Sequence, residues 1–266
     1  MRRSVVSIAL LTLVIFSSAS VAAQEGSDGT PVTNGLPQGV ALTALAMGEI
    51  GPLPQAPAWV SMARFTYAAG AQALEEVAPG PMLYVVETGE ITFELGEDQG
   101  AEAATPEGES PALGPGEQFY VPANASFSSR NDGDAPATAL RVVTFPSAPQ
   151  ITPATGMTYQ LLTGGIAESL PSDTAQVTVA RISLATGADV STRAEGSDGP
   201  ILVFVESGSM SLSVPGAEAL LAPGGTALIQ AGTEATAHNA GVRPTVVLVV
   251  SFSSVPAQHE DSTPEA

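Results

Sequence analysis

The 266-residue chain is 44% hydrophobic, enough to bury a core, and carries 27 acidic against 8 basic residues for a net charge of −19. That balance, with every base an arginine, excludes a nucleic-acid partner and an anionic lipid surface, both of which need basic patches. The lack of cysteine excludes disulfides and thiol nucleophiles, and two histidines, His238 and His259, exclude a site built on clustered imidazoles. The first element in chain order is an export signal. Arg2 and Arg3 form a basic start, Val5 to Phe16 an apolar run, and Ser17 to Ala23 a small-residue cleavage region. The apolar run is short for a membrane span, so residues 1–23 are expected to be removed after Ala23. A retained anchor is the alternative. The mature protein is expected to be secreted or otherwise extracytoplasmic, with no membrane contact.

Residues 24–39 are turn formers without apolar period and read as a flexible lead, as residues 255–266 read as a disordered tail. Between them one unit is written twice. Gly48, Leu53-Pro54, Val60, Ala63-Arg64 and Gly70 recur 117 positions later as Gly165, Leu170-Pro171, Val177, Ala180-Arg181 and Gly187. Gly80-Pro81, Leu83, Glu87 and Gly89 recur at Gly199-Pro200, Leu202, Glu206 and Gly208. Leu113, Pro115-Gly116 and Asn131 recur at Leu221, Pro223-Gly224 and Asn239. Offsets constant within blocks and changing between them indicate a duplication with loop insertions, giving domains at 40–145 and 157–254 joined by a linker at 146–156.

Within each unit the pattern predicts strands. Met82–Val86 and Ile201–Val205 read as buried strands, and Ile91–Leu95 and Met210–Val214 alternate apolar with polar. Ala139–Val143 and Thr245–Val250 are rich in β-branched residues. Short strands separated by Gly/Pro turns predict an all-β sandwich or barrel.

The spacing of these blocks resembles the cupin family, and the duplication resembles a bicupin. The family's first motif sets Gly, His-x-His, Glu and Gly at intervals matched by Gly70, Glu76, Ala78, Met82 and Gly89 and, with one or two extra residues before Ile201, by Gly187, Arg193, Glu195, Ile201 and Gly208. The second motif is matched by Gly116, Pro122, Asn124, Phe127 and Asn131, and by Gly224, Gln230, Gly232, Ala235 and Asn239. The resemblance implies two tandem double-stranded β-helix (jelly-roll) barrels over residues 40–254. It also implies ligand positions for a metal ion, normally three histidines and a glutamate. Here those positions hold Glu76, Ala78, Met82 and Phe127 in the first unit, and Arg193, Glu195, Ile201 and Ala235 in the second. Alanine, phenylalanine and isoleucine have no lone pair to donate, so no metal, cofactor or catalytic residue is expected.

Read as pockets, the first barrel would set Met82 and Phe127 against Glu76, either as filling of a small barrel or as a site for a small, largely apolar ligand. In the second, Arg193 and Glu195 could form an ion pair, or Arg193 could clamp an anion. His238 has no evident catalytic partner and, as the repeat mate of Arg130, reads as a polar turn residue; His259 lies in the tail. Arg64 and Arg181 read as a shared structural salt bridge. The acid-rich segment 96–110 reads as a solvated loop, with a weak calcium site as the alternative. Asn124-Ala125-Ser126 fits a glycosylation acceptor.

The resulting expectation is an exported, metal-free bicupin acting as a small-molecule binding or scaffold protein. The rivals are an enzyme with an ion held by carboxylates around Glu76 or Glu195, and a structural protein that self-assembles into a homo-oligomer.

Overall fold

A computed structural model describes residues 36–96, 112–192 and 198–255, and among them every regular element is a β-strand. The first half contains β1 (Val40–Ile50), β2 (Ala58–Tyr67), β3 (Gln72–Val77), β4 (Met82–Thr88), β5 (Ile91–Leu95), β6 (Ala112–Leu113), β7 (Gln118–Val121), β8 (Ser126–Arg130) and β9 (Ala137–Phe145). The second half contains β10 (Met157–Ala167), β11 (Ala175–Leu184), β12 (Asp189–Thr192), β13 (Ile201–Ser207), β14 (Met210–Val214), β15 (Ala217–Leu221), β16 (Thr226–Ile229), β17 (Ala235–His238) and β18 (Thr245–Ser254). The strands expected from sequence fall inside β4, β5, β9, β13, β14 and β18.

Pairing within each half follows one antiparallel hairpin wound back on itself. β2 pairs with β9, β3 with β8, β4 with β7 and β5 with β6, while β4–β9 and β5–β8 pairs close the two sheets. The second half repeats this with β11–β18, β12–β17, β13–β16 and β14–β15, closed by β13–β18 and β14–β17. The architecture is therefore all-β, two jelly rolls in tandem.

The apolar run of β4 is continuous because both its faces are covered. Met82, Tyr84 and Val86 point into the first barrel with Phe93, Phe119 and Phe127. Leu83 and Val85 point the other way, onto a layer shared with Leu202, Phe204, Leu248 and Val250 of the second unit. β13 does the same, with Ile201, Val203 and Val205 inside the second barrel. Alternation with period two thus feeds a barrel core on one side and an inter-barrel core on the other.

The hydrogen bonding does not follow the repeat boundaries. β1 belongs to the sheet β1-β11-β18-β13-β16 of the second barrel, and β10 to the sheet β10-β2-β9-β4-β7 of the first. The exchange is symmetric: Gly48 faces Val177 while Gly165 faces Val60, and each donated strand carries a bulge at the same place, at Ala44/Ala46 and Leu161/Thr163. Sequence offsets cannot show this, because equivalent first strands fit either sheet edge.

Two kinds of repeated residue explain themselves locally. A Cβ on Gly80 would lie 2.2 Å from the Thr144 carbonyl oxygen, and one on Gly199 2.5 Å from that of Phe252, so neither position admits a side chain. Buried Asn131 donates to the carbonyls of Tyr67, Ala68 and Ala135 and accepts from Gly133 N–H. Asn239 donates to Leu184 and Arg243 and accepts from Gly241 N–H. Each amide thus ties the strand end after the second motif to the first long strand of its own barrel.

Arg64 and Arg181 meet between the barrels. Arg64 holds Glu87 in a two-pronged pair at 2.5 and 2.7 Å, and Arg181 holds Glu206 at 2.6 and 3.2 Å. Each also crosses to the other unit's acid, Arg64 to Glu206 at 3.1 Å and Arg181 to Glu87 at 3.4 Å. Burial works to raise the pKa of Glu206, but the hydrogen bond and charge of Arg181, aided by Arg64, outweigh it and hold the carboxyl below its ordinary value.

Candidate functional site in the first barrel

β3 ends at the rim of barrel 1 and β4 and β8 run through its wall, so Glu76, Ala78, Met82 and Phe127 converge on one cavity of about 490 Å³. Met82 and Phe127 are buried and Glu76 is exposed, which sets apolar surface inside and a single described carboxylate at the mouth. Ala78 is fixed at the rim by its N–H to the Ala125 carbonyl and by Asn124 N–H on its own carbonyl. The segment 146–156, expected to be only a connector, contributes to the site. Pro149, Gln150, Ile151, Thr152 and Pro153 line the cavity, and Ile151 packs on the barrel core.

The residue that sequence reasoning missed is Arg141. It sits in the middle of β9, lines the cavity, and is only 5% exposed. Its guanidinium lies 4.4 Å from the Phe65 ring centre and 5.9 Å from that of Tyr84, and Nη1 donates to the Tyr84 hydroxyl at 3.4 Å. Its Nε is buried without a hydrogen-bond partner, and among the described residues no carboxylate forms an ion pair with it. Stacking on aromatic faces is worth roughly 2 kcal/mol when desolvated. Burying a cation costs several kcal/mol, and an arginine stays charged in proteins. The aromatic contacts alone therefore leave this charge under-compensated.

The second barrel shows that the fold does not need it. Arg141 pairs across the sheet with Ala63 and Tyr84, and the corresponding partners Ala180 and Val203 face Val249. Valine thus fills the same place in the duplicate. Two features of the sequence carried this signal: Arg141 is the one charged residue in the run Ala137–Phe145, and its repeat mate is apolar.

In the second barrel, Arg193 and Glu195 lie outside the described residues. Ile201 and Ala235, at the remaining two motif positions, are buried in an apolar core with Val203, Val205, Met210 and Ile229. Among the described residues no group of three or more His, Asp or Glu side chains is placed to hold a metal ion. In the first barrel the four motif positions offer one carboxylate, Glu76, and one soft thioether, Met82, with no imidazole, so the residues present do not fit the ion that the resemblance implies.

His238 differs from the sequence expectation. It ends β17 instead of lying in a turn, and its Nδ1 is 2.7 Å from Asp189 Oδ1 on β12. Its repeat mate Arg130 likewise ends β8 and holds Glu94 and Asp132 at 2.8 and 2.7 Å. Both positions fasten a strand end through side-chain contacts on the outer surface, His238 to β12 and Arg130 to β5.

No protein-family model matches the sequence, and no curated protein matches it. Among solved structures, the chain is similar to AerE from Microcystis aeruginosa, at 12% identity and TM-score 0.48 over 84% of this chain and 96% of that one. It is similar to procruciferin, an 11S globulin from Brassica napus, at 11% identity and TM-score 0.48 over 79% and 85%. It is also similar to oxalate decarboxylase from Bacillus subtilis, at 12% identity and TM-score 0.48 over 84% and 74%. Likenesses at this level say nothing about activity, and the jelly-roll architecture stands on the strand pairing itself.

Proposed function

We propose that this is an exported, cupin-type binding protein that takes up a small molecule in its first barrel and carries no catalytic metal. One observation supports this most: a cavity within the size range of small-molecule sites, roughly 300–1,000 Å³, into which a buried, under-compensated arginine is directed. The apolar walls would supply affinity and the few polar groups orientation. Export is supported by the basic, apolar and small-residue order of residues 1–23.

Thermal unfolding against a panel of small metabolites tests the binding role, because a ligand of the native state raises the melting temperature by an amount that grows with the logarithm of its concentration relative to its Kd. Stabilisation by a subset of compounds that is lost in Phe127→Trp, which fills the cavity, is the expected result. A panel without effect would favour a scaffold role. Elemental analysis of protein purified without a histidine tag separates the enzymatic rival. A stoichiometric metal that survives dialysis would overturn the metal-free reading. Mature protein recovered outside the cytoplasm with Gln24 at its N-terminus is expected.

A further inference from the structure

We infer, taking barrel 1 as the binding site, that its ligand is a monocarboxylate with a flat apolar body, its carboxylate paired to Arg141 inside and its other end directed toward Glu76 at the mouth. The guanidinium carries five N–H donors in a planar fork. In the described structure one of them makes a long contact to Tyr84 and Nε makes none. A carboxylate is the complement of that fork: it accepts two parallel hydrogen bonds and neutralises the charge, which no described side chain does.

The walls define the rest of the ligand. Phe65, Met82, Phe127, Phe145 and Met157 line the cavity around Arg141, so the body next to the carboxylate meets aromatic and thioether surface. At the rim, Glu76 is the described carboxylate a second anionic group would meet. An extended dicarboxylate would bring like charges together there, so the site discriminates against it. Among the described residues the second barrel has no equivalent anchor, because Val249 stands where Arg141 does. One site of this kind per chain is therefore expected.

The test is calorimetric titration of the full mature chain with benzoate, phenylacetate and cinnamate, with their neutral amides, and with terephthalate. The wild type is expected to bind at least one monocarboxylate about tenfold or more tightly than its amide, with one site per chain. Terephthalate is expected to bind more weakly than benzoate, and Glu76→Gln to narrow that gap. Arg141→Val, which copies the second barrel, is expected to abolish carboxylate binding while melting no lower than the ligand-free wild type. Arg141→Lys keeps the charge without the fork and is expected to bind with intermediate affinity, which keeps the idea testable should the valine variant unfold. Acids and amides binding alike, with binding unchanged in both arginine variants, would overturn the anion assignment and leave the pocket as a neutral site. Silence of acids and amides alike would overturn the binding site together with its anchor.

Discussion

Arg64, on β2 of the first repeat, donates to Glu206, on β13 of the second, at 3.1 Å, and the duplicate contact between Arg181 and Glu87 is 3.4 Å. Four residues from two copies of one unit therefore close a ring of alternating charge where the barrels meet. Arg64→Ala should lower stability by about 1–3 kcal/mol, the range for partly exposed, charge-assisted pairs. The diagnostic quantity is coupling. A double-mutant cycle of Arg64→Ala with Glu206→Gln, read by urea unfolding, should give a clear non-additive term, whereas strict additivity would mean that the crossing contact contributes nothing.

The same ring sets part of the acid limit. Because the folded-state pKa of Glu206 lies below its ordinary value of 4.5, its contribution is fully present above about that pH and is lost as pH falls through the folded value. Urea midpoints measured from neutral pH down to about 3 should therefore decline. Glu206→Gln should start lower and decline less steeply. An equally steep loss in the variant would assign the acid sensitivity to other carboxylates.

Asn131 and Asn239 offer a stability test independent of charge. Asn131→Ala leaves three buried or part-buried carbonyls without the amide donor, and a loss of about 2–4 kcal/mol is expected in urea unfolding. Asn239→Ala, which frees two, should cost about as much or somewhat less. A neutral result at either would mean that water replaces the amide.

Strand exchange makes the halves interdependent. A fragment ending at residue 145 keeps β1 but loses β11, the strand β1 pairs with, and leaves the free edge of β2 together with the apolar face of Leu83, Val85 and Leu140 exposed. Expressed alone, either half should be unfolded or aggregated by size-exclusion chromatography and circular dichroism. Co-expressed halves should associate into one particle. Two independently folded, monomeric halves would contradict the exchanged pairing.

Much of the architecture was readable because it rests on local rules. Glycine blocks marked the turns, period-two runs marked β5 and β14, and the duplication marked both barrels. The exchange of β1 and β10 was not readable, since strands related by duplication carry the same pattern and sequence does not say which edge each one joins. The site divides in the same way. Motif spacing brought Glu76, Met82 and Phe127 to one cavity, but Arg141 was hidden within a strand whose apolar neighbours dominated the reading. Its apolar repeat mate Val249 was visible in the sequence, but the burial that gives the difference meaning appears only in the fold. His238 was misplaced because its carboxylate partner, Asp189, is 49 residues away in sequence and adjacent only through strand pairing.

The most direct measurement is a crystal structure of the protein purified from its native compartment without exchange of small molecules, inspected at the Arg141 guanidinium. Flat density paired in-plane with the fork and extending between Phe65 and Phe127 toward Glu76 is the predicted result. A protein carboxylate folded onto Arg141, or a coordinated metal at Glu76, would contradict the account.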